Sequence, residues 1–174
     1  MHIFNYFFTP FALISVLFAI YFSAPEKQIT WMTIAIIAFQ FVVNFYISKN
    51  VYKFFKHMQQ VRIGLVLFNT ISISGIFYLL SAYWAPIWLL YTIPPATAAM
   101  FLKKPGTFFI SLFSAACMMS VYQIRSIILE TELSQQLWAM AACHGIFIII
   151  FSMFLNFMSE TMTKMRDASR LSAR

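Results

Sequence analysis

Apolar residues run along this chain in six blocks, at about 4–22, 29–47, 63–81, 87–102, 107–124 and 137–158, parted by short polar breaks. A helix needs about 20 mainly apolar residues to cross roughly 30 Å of hydrocarbon, so each block is a candidate membrane span. The blocks are apolar on every side. A membrane barrel would instead show segments of about ten residues with alternating apolar and polar positions. Only helices satisfy all their own backbone hydrogen bonds in lipid without closing a barrel. The pattern therefore predicts an all-α integral membrane protein, a six-helix bundle over 1–158 with a polar extension at 159–174. The first block has no basic residue before it and no small-residue cleavage site after it, so it is read as a span and not as a secretory signal.

Composition agrees: charged residues make up 10% of the 174 positions, less than half of what a water-wetted domain uses. Where the charges stand matters more than how many there are. Ten of the twelve Lys and Arg residues belong to one set of alternate breaks: Lys49, Lys53, Lys56 and Arg62, then Lys103 and Lys104, then Lys164, Arg166, Arg170 and Arg174. The opposite set holds Lys27 and Arg125, with Glu130 and Glu132. By the positive-inside rule both termini are expected in the cytoplasm. The net charge of +7 is thus a topology signal, and no nucleic acid partner is expected from cations that sit beside membrane exits. Cys117 and Cys143 fall inside spans without any C-x-x-C pattern and read as small apolar fillers.

Three features stand out along the blocks. An aromatic corner, Ala82-Tyr83-Trp84-Ala85-Pro86, joins the third and fourth and predicts an antiparallel hairpin with Trp84, Trp88 and Tyr91 near the outer interface. The basic loop 48–62 mixes aromatics with cations; it reads first as a cytoplasmic connection and second as a segment lying on the anionic inner leaflet. Pro94-Pro95 falls within the fourth block, where the helix should kink or open as a hinge and leave carbonyls for neighbouring helices or water. The small residues that follow, Ala96-Thr97-Ala98-Ala99, are a surface for close helix packing.

The last block has no stop signal. From Phe154 to Arg174 there is neither Gly nor Pro, and Leu155, Met158, Met162 and Met165 step by three and four residues, a short heptad seam. The helix is expected to leave the membrane, pair with a second copy as a homodimer, and act as the relay of a signalling helix that runs on past Arg174.

Catalytic chemistry is missing. No Asp, Glu, Lys or Arg lies inside the first four blocks or the sixth, and no nucleophile elbow, phosphate loop, zinc helix or paired-histidine spacing occurs. No cofactor or metal is expected. Neutral polar residues remain, among them Gln40, Asn44, Asn69, Thr70, Ser72, Ser74, Tyr122, Gln123 and His144. Their plain use is to bond across helices. The alternative is a mostly apolar pocket for a lipophilic ligand, built from Asn69, Trp84, Trp88, Tyr91, Tyr122, Arg125 and His144.

The stretch from Phe68-Asn69-Thr70 to Leu80, followed by Ala85-Pro86-Ile87-Trp88-Leu89-Leu90-Tyr91-Thr92-Ile93-Pro94, resembles the membrane region of bacterial multi-span sensor histidine kinases and diguanylate cyclases. The resemblance implies a multi-pass module of a bacterial inner membrane, the sensing half of a two-component receptor, responding to a small lipophilic ligand and linked to a cytoplasmic output domain or partner. The chain holds no phospho-acceptor histidine region, ATP-binding domain or cyclase motif, so any catalytic output lies elsewhere. The expected function is a sensor or anchor of a signal-transduction protein. A freestanding small transporter or channel is the alternative, and an intramembrane enzyme would need Arg125, His144 and Asn69 to converge.

Overall fold

In a computed structural model, residues 2–50, 57–128 and 134–172 are described. They form α1 (His2–Ser23), α2 (Lys27–Lys49), α3 (Met58–Leu80), a 3₁₀ helix (Ala85–Thr92), α4 (Ile93–Ala99), α5 (Lys104–Ile128) and α6 (Gln135–Ser172), with no strand among the described residues. The all-helical expectation holds. Four helices, α2, α3, α5 and α6, are long and apolar enough to cross a membrane. Lys53, Lys56, Glu130, Glu132 and Arg174 lie outside the described residues.

Helix ends run further than the apolar blocks. Met58–Arg62, expected in a loop, form the first turn of α3, and α6 continues unbroken to Ser172. Polar residues with good helix propensity and no Gly or Pro extend a helix that the membrane-length block has already nucleated. α1 closes on Ala24, whose φ of 42° is left-handed and whose N–H returns to Ile20 O at 3.1 Å. Pro25 then prevents continuation.

Contacts between helix ends fix the relative directions. Ser23 Oγ donates to Tyr83 O at 2.9 Å and Arg125 Nη1 donates to Ser81 Oγ, so the C-terminal ends of α1, α3 and α5 gather at one end of the molecule. At the other, Arg62 lies over Phe101 and Lys104 pairs with Glu160 at 3.4 Å. This end carries the start of α3, the start of α5 and the later part of α6.

The core forms where these elements meet. Phe77 and Leu80 of α3, Leu90 and Tyr91 of the 3₁₀ helix, Met118 of α5 and Ile148 of α6 are almost wholly buried. The 3₁₀ helix is central, touching α1, α3, α5 and α6. Small residues line α5 and α6: Thr107, Ser111, Ser114 and Ala115 on the first and Ala141, Gly145, Ser152 and Asn156 on the second are all buried, and Asn156 Nδ2 reaches Thr107 Oγ1 at 3.1 Å between them. A methyl group at Gly145 would stand 3.5 Å from Ala115 Cβ, which shows how closely the backbones approach.

α2 is different. Thr33 is its buried residue, while Trp31, Phe39, Val42 and Phe45 are each more than half exposed. An apolar helix that hides so little of itself from its neighbours has lipid as its natural surroundings. Polar contacts fasten it to α3: Gln40 Nε2 and Asn44 Nδ2 donate to Asn69 Oδ1 at 3.1 and 3.0 Å, and Asn69 Nδ2 returns a bond to Asn44 Oδ1 at 3.3 Å.

Candidate functional site

The fourth apolar block is not one α-helix. Prolines at 94 and 95 have no N–H to give to the carbonyls of Leu90 and Tyr91, so the α ladder cannot pass this point. The chain upstream winds as the tighter 3₁₀ helix, an unusually long one at eight residues, and α4 begins at the prolines, where missing donors cost nothing. The freed carbonyls are both satisfied. Leu90 O takes the N–H of Ile93, a bond of 3₁₀ type, and Tyr91 O accepts from Ser114 Oγ of α5 at 2.8 Å. Of the partners expected, neighbouring helices or water, a neighbouring helix serves Tyr91 O, while Leu90 O is served within its own segment.

The winding also changes the reach. Eight residues at about 2.0 Å and seven at about 1.5 Å give roughly 27 Å for 85–99, against roughly 22 Å if all were α-helical. A second device closes the far end. Asn156 of α6, 1% exposed, donates its Nδ2 to Ala99 O at 3.0 Å, to Leu102 O at 2.8 Å and towards Thr107 Oγ1 at 3.1 Å. The last carbonyls of a helix have no partner of their own, and here a side chain from another helix caps them. Gly106 lets the corner fold this tightly, because a Cβ there would meet Leu102 Cβ at 3.3 Å.

Tyr91 is held at both of its polar groups. Its hydroxyl donates to Ser74 Oγ of α3 at 2.9 Å, and Ser74 Oγ in turn donates to Thr70 O at 2.9 Å. Its ring meets Phe77 edge-on at 5.4 Å, and Phe77 meets Tyr122 edge-on at 5.2 Å. Trp88 stacks flat on His144 of α6, with ring centroids 4.0 Å apart and planes at 10°, and Phe147 stands edge-on to Trp88 at 5.6 Å. Trp84 stacks on Phe22 of α1 at 6.1 Å. The segment 84–102 is thus gripped by α1, α3, α5 and α6 at named side chains.

The expected pocket residues are therefore brought together only in part. Tyr91, Tyr122, Trp88 and His144 belong to the layer around the 3₁₀ helix, and Trp84 lies at its N-terminal end. Arg125 caps the end of α3 through Ser81. Asn69 belongs to the α2–α3 clamp, twelve residues before Ser81 and so about 18 Å along the axis of α3. Arg125 and Asn69 do not converge, and the enzyme arrangement fails on that distance. Asn156 and Ser114 escape a search for charge or motif. Their signal is spacing: Ser152 and Asn156 continue the face of Ala141, Gly145 and Ile148 at steps of three and four, as Ser114 continues that of Thr107 and Ser111.

The seam expected to act as a relay lies on another face of α6. Met162 and Met165 are exposed and Leu155 is half-buried. At about 100° per residue, Met158 and Met165 stand roughly opposite Asn156. The helix thus grips the joint with one side and leaves the methionine side open. Both cysteines are free. No family model matches the chain, and neither a curated protein nor a solved structure is detectably similar to it.

The proline–serine exchange gives a direct test of this geometry. Ser114→Ala is expected to cost about 1–2 kcal/mol, because it strips a buried carbonyl of its donor. In a Pro95→Ala background residue 95 regains the N–H for Tyr91 O, and the cost of Ser114→Ala should fall by at least half. Reversible unfolding of the four variants in mixed micelles measures the coupling; strictly additive costs would show that Ser114 does not serve that carbonyl.

Proposed function

We propose that the chain is a membrane sensor or anchor module of a signal-transduction protein, with six spans, both termini in the cytoplasm, and a location in a bacterial inner membrane. The segment 85–99 is the fourth crossing: its 3₁₀ turns bring it to about the hydrocarbon thickness despite its few residues. The basic end, with Arg62, Lys103, Lys104, Lys164 and Arg166, is the cytoplasmic one.

The observation that carries the reading is the bond from Asn156 to the end of α4. It ties a crossing broken at Pro94-Pro95 to α6, which runs to Ser172, well past the end of its apolar block. A lipophilic ligand at the half-buried Trp84, Trp88 and His144, or a change in bilayer thickness, favours one packing of the broken crossing over another. α6 follows, and its Met158, Met162 and Met165 face presents the change to a second copy and to a histidine-kinase-like output domain. A signal of this kind needs a stimulus that stabilises the two packings unequally.

Spin labels at Lys164→Cys, in a chain with Cys117 and Cys143 replaced by Ala, report the separation of the two α6 helices in nanodiscs of short-chain and long-chain lipids. The expected result is a lipid-dependent shift that the Pro94→Ala, Pro95→Ala double variant abolishes. A separation indifferent to the lipid, or solute flux through liposomes containing the chain, overturns the reading; flux would favour a transporter.

A further inference from the structure

We propose that Arg62 and Lys103 hold the phosphate of an anionic phospholipid at the basic end of the bundle. Arg62 stands in the first turn of α3 with its guanidinium carbon 5.8 Å from the centre of the Phe101 ring, and Phe101 lies two residues before Lys103 in the α4–α5 corner. The Nε of Arg62 is buried and has no hydrogen-bond partner, so packing and not a counter-ion holds this side chain in place.

No carboxylate among the described residues neutralises it. Glu160 is taken by Lys104 at 3.4 Å, Glu26 precedes α2 at the opposite end, and Asp167 lies seven residues beyond Glu160, about 10 Å further along α6. Next to Arg62 and Phe101, the half-buried side chains of Ile63, Leu67 and Leu102 pack on a small core of Val66, Ala98 and Ile110 and keep part of their apolar surface open. A rigid guanidinium fork matches a phosphate, a lysine adds a point charge, and an adjoining apolar surface takes acyl chains. Basic recesses between spanning helices are suited to anionic headgroups for this reason. The apolar surface left open by Ile63, Leu67 and Leu102 is what commits the site to a lipid and not to free phosphate.

The inference rests on the chain being embedded in a bilayer and is independent of signalling. In native mass spectrometry of the full chain released from micelles, phosphatidylglycerol should be retained at least fivefold more than phosphatidylcholine. Arg62→Gln with Lys103→Gln should reduce retention to the phosphatidylcholine level, Lys103→Gln alone should reduce it partly without touching the packed core, and Lys164→Gln should leave it unchanged. Equal retention of the two lipids by the native chain, indifference to the Lys103 change, or equal protection against heat by millimolar inorganic phosphate each overturns the proposal. Resistance of the expressed chain to alkaline carbonate extraction separates the two levels: if it resists and the lipid preference is absent, the site alone is wrong.

Discussion

Asn156→Ala is expected to destabilise the fold by about 2–3 kcal/mol. The substitution leaves the carbonyls of Ala99 and Leu102 without their donor, and an orphaned buried acceptor costs about 1–3 kcal/mol. Some of that loss is offset, because Asn156 Oδ1 is itself buried without a partner and disappears with the side chain. Aspartate separates a donor role from a space-filling one. Asn156→Asp keeps the volume but sets oxygen against carbonyl oxygen, so the expected order of stability is Asn, then Ala, then Asp. Unfolding in mixed micelles gives the ranking, and an aspartate variant as stable as the native chain would refute the capping role.

Tyr91→Ala is expected to cost about 3–5 kcal/mol, whereas Tyr91→Phe should cost about 1 kcal/mol. The difference separates the ring from its hydroxyl. The ring is fully buried and meets Phe77 edge-on, so its removal leaves a void between the 3₁₀ helix, α3 and α5. A bilayer provides no hydrophobic force between helices, so this penalty consists of the lost dispersion contacts and the void itself. The phenylalanine variant loses only the bond to Ser74. The same unfolding assay decides it; equal costs for the two variants would mean that the hydroxyl, not the packed ring, anchors the segment.

The helical fold was legible because an apolar run of membrane length allows few backbone solutions, and the hydrophobic pattern alone selects helix. The break at Pro94-Pro95 was legible for an equally local reason, the missing N–H groups. What the pattern does not show is the 3₁₀ winding of Ala85–Thr92, since a segment apolar on all sides looks the same at 3.0 and 3.6 residues per turn. The partners were less legible still. Tyr91 bonds to Ser74 and Ser114, Trp88 stacks on His144, and Asn156 reaches back 57 residues to Ala99. Such pairings depend on which helix faces come together, which no single helix determines. Asn69 shows the converse: in the structure it makes the plain cross-helix bonds to Gln40 and Asn44 that its residue type suggests most readily.

The capping of the broken segment from later in the chain also sets an order for biogenesis. Tyr91 O finds its donor 23 residues downstream and Ala99 O finds its donor 57 residues downstream. At about 5–20 residues per second, the ribosome needs roughly 3–11 s after Ala99 to make Asn156. During that interval the segment holds backbone acceptors that lipid cannot satisfy. With 85–99 as the proposed crossing, the insertion machinery must shelter 85–102 in a polar or protein-lined environment until α5 and α6 arrive, and a chain truncated before Asn156 leaves that shelter with Ala99 O uncapped.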